Sequence, residues 1–119
     1  MSLLIKGGRI IDPQRGIDLV GDLWLQEGIV KGLAEHIDVP PRTRVVDATG
    51  LVVCPGFIDL HCHLREPGDP DKETIATGTA AAARGGFTTV CAMPNTRPAM
   101  DSAGMVDLVL RKARGEGEV

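Results

Sequence analysis

The sequence predicts an α/β chain in which a small all-β unit is followed by two βα units with parallel strands. Three observations carry this. Residues 1–54 break into short apolar runs separated by Gly, Pro and Asp turns. The pattern changes at Pro55-Gly56. From there the order reads strand, helix, strand, helix, with an alanine-rich helix stopped by Gly85-Gly86.

Within the β unit, residues 3–11 read as strand, Gly7-Gly8 break and strand, ended by Asp12-Pro13 as a turn. Residues 22–27 and 29–34 flank Glu27-Gly28, a tight hairpin turn in which glycine accepts positive φ. Pro40-Pro41 marks a loop, residues 44–48 a short strand, Thr49-Gly50 a turn, and residues 51–54 begin another strand. No repeat of fixed period is present.

The domain reading is therefore residues 1–54 as the β unit and residues 55–119 as the βα units. In the second part, Pro67-Gly68-Asp69-Pro70 forms a loop and Asp71 is the expected N-cap of a helix over residues 72–84. Its run of four alanines, Ala80–Ala83, has high helix propensity and little bulk, so it can lie close to a sheet. Residues 87–93 read as a buried parallel strand. Pro94-Asn95-Thr96-Arg97-Pro98 is the loop at its C-terminal end, and Asp101 or Ser102 caps a last helix. Two parallel strands make no stable domain, and a closed (β/α)8 barrel needs roughly 200 residues or more. The expectation is an N-terminal piece of a larger protein.

Composition excludes several classes. With 119 residues and 43% hydrophobic content, a core is possible. Only 3% of residues are aromatic, none is Tyr, and the net charge is −3 with scattered basic residues. That is no surface for stacking bases or tracking phosphates, so no nucleic-acid partner is expected. No apolar run approaches the ~18 residues of a membrane span, and a cytoplasmic protein is expected. Cys54, Cys62 and Cys91 are too few for a disulfide framework and read as small buried hydrophobes.

The chemistry concentrates in residues 57–65. Read as a strand, it sends Asp59, His61, His63 and Arg65 to one face and Ile58, Leu60, Cys62 and Leu64 to the other, which would pack under a covering layer. Two imidazoles two residues apart on one face can share a cation, although two histidines are never a whole zinc site. A solvated face with two chance histidines is the plain alternative. Asp59 is expected to orient a His or backbone groups rather than bind metal itself. His36, the third histidine, reads as a surface residue. Arg65 can clamp a carboxylate bidentately, or pair with Glu66 or Asp59. Asn95, at the C-terminal end of the second parallel strand, can share that carboxylate or serve only as a turn residue.

At these residues the chain resembles a known family. The stretch Pro55-Gly56-Phe57-Ile58-Asp59-Leu60-His61-Cys62-His63-Leu64-Arg65-Glu66-Pro67-Gly68 is similar to the metal-binding signature of the dihydroorotases, which are cyclic amidohydrolases. Gly85-Gly86-Phe87-Thr88-Thr89-Val90, followed by Met93-Pro94-Asn95-Thr96, resembles that family's second signature. The opening strands, ending in Val46-Asp47-Ala48-Thr49-Gly50, are also similar. The resemblance implies a metal-dependent (β/α)8 barrel preceded by strands of a small β-sandwich. It implies His61 and His63 as ligands of one or two Zn2+ ions, and Arg65 and Asn95 as binders of the substrate carboxylate. The implied reaction is reversible cyclisation of N-carbamoyl-L-aspartate to L-dihydroorotate in pyrimidine biosynthesis. The general base, further His ligands and a bridging carboxylate (carbamylated Lys or Asp) are implied to lie beyond residue 119, so this stretch alone is expected to be inactive. The runner-up readings are allantoinase, hydantoinase or dihydropyrimidinase, and a non-catalytic dihydroorotase-like partner of aspartate transcarbamoylase. A homo-oligomer is a further implied state.

Overall fold

Alternating apolar runs at the start of the chain pair as β1 (Ser2–Asp12), β2 (Ile17–Gln26) and β3 (Ile29–Ala34), two antiparallel hairpins in succession. The β2–β3 turn places Glu27 (φ 52°) and Gly28 (φ 75°) in the left-handed region, as a two-residue hairpin requires. Strands β4 (Arg44–Asp47) and β5 (Val52–Val53) both run parallel to β1, one beside each half of it. The order is β3-β2-β1-β4, with β5 also on β1. The computed structural model describes all residues, Met1–Val119, which divide into two units, Met1–Pro55 and Gly56–Val119.

Two boundaries in the first unit differ from the sequence reading. The Gly7-Gly8 pair does not break β1; the register slips between Ile5 and Gly8, so the glycines form a bulge within one strand. β2 begins at Ile17 rather than residue 22, because Asp12↔Ile17 pairing extends the hairpin. All five strands lie in one mixed sheet. Leu4 and Ile10 of β1, and Ala48 just after β4, are the buried apolar side chains of this unit.

The side chain of Asp22 is 3% exposed in this unit. It accepts the backbone N–H of Gly7 and of Ile37, each at 3.0 Å, and so holds the β1 bulge and the segment after β3. Burial alone would push this carboxyl up. The two amides, with the charges of His36 and Lys6, outweigh burial and hold it below the usual carboxylate range.

In the second unit the order is β6 (Phe57–Cys62), α1 (Ile75–Arg84), β7 (Phe87–Ala92) and α2 (Ala103–Glu116), with β6 and β7 parallel. Helix α1 starts later than expected. Thr74, not Asp71, is the N-cap, because its hydroxyl accepts from the Thr77 amide while the Thr77 hydroxyl accepts the Thr74 amide. Gly85 ends the helix as read. Ser102, one of the two expected caps, accepts from the Met105 amide and opens α2. Helix α1 packs on β7 and α2, burying Ile75 and Thr79 completely.

Other expectations fail here. Ile58 and Leu60 are 60% and 72% exposed, so the apolar face of β6 is not covered along these residues. Cys54 and Cys91 are exposed and Cys62 is half-buried, not the core residues expected: Cys54 lies just past β5, and Cys62 and Cys91 belong to a sheet of only two strands.

A stability prediction follows from Asp22. Its carboxyl is lowered in the fold, so its contribution is present above the unfolded value of about 3.9 and is lost as pH falls through the folded value. Asp22→Ala should cost about 2 kcal/mol at pH 7 by stranding two amides, with the difference from wild type shrinking towards pH 3. Urea unfolding followed by Trp24, the single tryptophan and a member of the same unit, measures this; an equal loss at both pH values would refute it.

Candidate active site

Parallel pairing brings the C-terminal ends of β6 and β7 together, and the residues singled out in the sequence lie there. His61 is the penultimate residue of β6, and His63 follows the strand. Their ring centroids are 5.4 Å apart at an interplanar angle of 68°. Two imidazoles ligating one tetrahedral ion at usual bond lengths have centroids about 5 Å apart, so the pair fits zinc as two ligands. No group of three His, Cys, Asp or Glu side chains stands close enough to hold a metal. The residues present therefore fit part of a metal site.

Asn95 lies in the loop after β7, and its Oδ1 accepts from Nδ1 of His63 at 3.0 Å. With Nδ1 donating, Nε2 of His63 keeps its lone pair free for a ligand. The sequence paired Asn95 with Arg65 as carboxylate binders and did not foresee this contact. Asp59 Oδ1 accepts the backbone N–H of His61 at 2.9 Å and braces the strand rather than an imidazole ring.

The alternation argument does not extend to Arg65. β6 ends at Cys62, and Arg65 has φ 60°, so its place is set by a loop and not by the strand period. It forms neither of the ion pairs the sequence allowed. Asp59 serves the His61 amide, and Glu66 binds elsewhere. Glu66 was missed as a site-building residue. Its side chain is 11% exposed; Oε2 accepts the Ile75 amide at 2.8 Å and Oε1 accepts Lys112 Nζ at 2.9 Å. Burial raises its carboxyl, but the Lys112 and Ile75 hydrogen bonds prevail and the net direction is down. The one sequence signal was an acid ahead of a helix start; Lys112, 46 residues away, gave none.

The two loops are tied by backbone. Met93 N–H donates to Cys62 O at 2.8 Å, and Arg97 N–H to Pro67 O at 2.9 Å. Gly68, at φ 126°, sits where a Cβ would come within 2.8–2.9 Å of Arg97. Cys62 donates to Cys91 O at 3.6 Å; burial, then the Asp59 and Cys91 charges, push its thiol up, away from the thiolate a metal would need. His36 pairs with Asp22 and Asp38 in the first unit. An apolar groove of about 610 Å³, lined among others by Val90, Val106 and Val109, includes neither His61 nor His63.

The fold is shared with part of solved structures named dihydropyrimidinase and hydantoinase. The dihydropyrimidinase of Brevibacillus agri superposes with a TM-score of 0.80 at 26% identity, over 98% of this chain and 25% of that one. The D-hydantoinase (dihydropyrimidinase) of a Thermus species gives 0.74 at 33% identity, over 93% and 24%. In sequence, the chain is 50% identical over its whole length to the dihydroorotase of Geobacter metallireducens and 52% identical to that of Geobacter sulfurreducens, spanning 28% of each. A family profile described as dihydro-orotase-like matches residues 50–119, and the chain belongs to that family.

Gly68→Ala should separate the two loops, since both positive φ and the approach of Arg97 oppose a side chain. The expected result is at least tenfold faster amide exchange at Arg97, with Trp24 unfolding unchanged; unaltered Arg97 exchange would refute it.

Proposed function

We propose that this chain supplies two metal ligands and the carboxylate-reading residues of a zinc-dependent dihydroorotase, with the remaining ligands and the general base contributed from sequence beyond residue 119. The observation that supports it best is the meeting of His61, His63 and Asn95 at one end of the parallel pair, where the Arg65 loop also begins. His61 and His63 would hold the ion, with Nε2 of His63 presented by Asn95. When bound, zinc supplies a Lewis acid for the ring amide carbonyl and an acidified water. Arg65 presents a guanidinium fork that no neighbouring carboxylate occupies, suited to the carboxylate of dihydroorotate. Asn95 has an amide NH2 left to donate to the same group. Asp59 keeps the strand backbone at His61 in place.

A hydantoinase or dihydropyrimidinase activity is the second reading, favoured by the solved structures that share the fold. Arg65 weighs against it, since a carboxylate-free ring gives a guanidinium nothing to bind. A cytoplasmic location and association with aspartate transcarbamoylase or with further copies belong to the same proposal and are read by fractionation and co-purification. No helix of the chain is long and apolar enough to cross a membrane.

The test uses the full-length protein with zinc. Turnover of dihydroorotate is expected, and turnover of hydantoin alone would overturn the proposal. His63→Ala should lower bound zinc and abolish turnover. Arg65→Met should raise KM for dihydroorotate at least tenfold, about 1.4 kcal/mol, at near-normal zinc content; unchanged kinetics would remove Arg65 from the site.

A further inference from the structure

Glu66 is a motif residue for which the proposed chemistry has no use, yet it makes the most buried ion pair in its unit. It directly follows Arg65. One carboxylate oxygen takes the first amide of α1, at Ile75, and the other takes Lys112 of α2. The segment between is short and closed on itself: Asp69 N–H donates to Arg65 O at 2.9 Å. Arg65 stands at φ 60°, where a side chain costs of order 1 kcal/mol or more and persists only if its surroundings impose it. The contacts that impose it are the Asp69 bond, the Pro67–Arg97 bond to the neighbouring loop, and the two anchors of Glu66.

We propose that Glu66 is a positioning residue: by tying the loop to α1 through Ile75 and to α2 through Lys112, it holds Arg65 in its left-handed conformation and aims the guanidinium. This rests on the reading of Arg65 as the group that meets the substrate carboxylate. Lys112 then belongs to the same device, although it lies on a helix remote in sequence from the histidines. The pair is worth having for geometry rather than for net stability, since an ion pair with one partly exposed partner gains little. Glu66 is shielded while the Lys112 side chain is 38% exposed; the lysine takes one carboxylate oxygen and leaves the other for the amide.

Glu66→Gln keeps an oxygen for the Ile75 amide and loses the ion pair; Glu66→Ala loses both; Lys112→Met loses only the cation. In the full-length protein, Glu66→Ala should raise KM for dihydroorotate about tenfold, with kcat within about twofold and zinc content unchanged. Glu66→Gln and Lys112→Met should give smaller rises, about threefold. Amide exchange at Asp69 and Ile75 should quicken in the same order. A KM unchanged in Glu66→Ala overturns the proposal. So does a parallel fall of kcat, zinc content and thermal stability, which a merely structural glutamate would give. If the unsubstituted protein fails to turn over dihydroorotate, the functional reading falls by itself. Exchange then still decides on Glu66: unaltered rates at Asp69 in Glu66→Ala refute the anchoring, and faster rates support it.

Discussion

The parallel pairing of β6 with β7 is the constraint on which the site depends. It is pinned at the start by Phe57 N–H to Gly86 O, 2.9 Å, and at the end by Met93 N–H to Cys62 O, 2.8 Å. Parallel strands must leave a sheet at the same end. The residues after β6 and after β7 therefore become neighbours although some thirty positions separate them, as the contact of His63 with Asn95 shows. A backbone hydrogen bond contributes only about 1 kcal/mol net, and two strands alone are marginal in water. Helix α1 supplies the rest by packing on β7 and on α2, with Ile75 and Thr79 buried.

Two carboxylates perform equivalent tasks in the two units. Asp22 gathers the Gly7 and Ile37 amides; Glu66 gathers the Ile75 amide and the Lys112 ammonium. Each is shielded from water, and each accepts from groups that are distant in sequence. Each also holds a place where the backbone departs from regular structure, a β-bulge in one case and a left-handed loop residue in the other. An acceptor-only ion with four lone-pair sites suits such places, since it can satisfy amides that no ladder or helix reaches.

The parts of the fold legible in the sequence were those governed by period and by local chemistry. The Glu27-Gly28 hairpin, the stop at Gly85, the Ser102 cap and the strand–helix–strand–helix order all follow from neighbours within a few residues. What failed depended on longer range. Alternation placed Arg65 on the face of His63, but the strand ends at Cys62 and a loop decides instead. Asp71 is a good cap by type, but the reciprocal Thr74–Thr77 bonds capture the helix start three residues later. Burial of Ile58, Leu60 and Cys91 was inferred from apolar character, which reports what a face could cover and not what covers it. At the site, the histidine pair was legible as a pair; the Asn95 contact and the Glu66–Lys112 tie were not, because their partners lie 32 and 46 positions away.

The candidate site divides between a strand end and two loops. His61 lies within β6, where its amide is held by the Asp59 side chain, and His63 lies one step beyond the strand, against the Asn95 side chain. Arg65 and Asn95 sit on loops, whose course depends on individual residues such as Glu66, Gly68 and Lys112. Loops in general tolerate change more readily than the strands they join. On the proposed reading, the strand-end histidines hold the ion, and the substrate carboxylate is met by side chains on the two loops. A residue that touches neither metal nor ring, yet sets the φ of the arginine, then acts on specificity without acting on the reaction. Glu66 has that position.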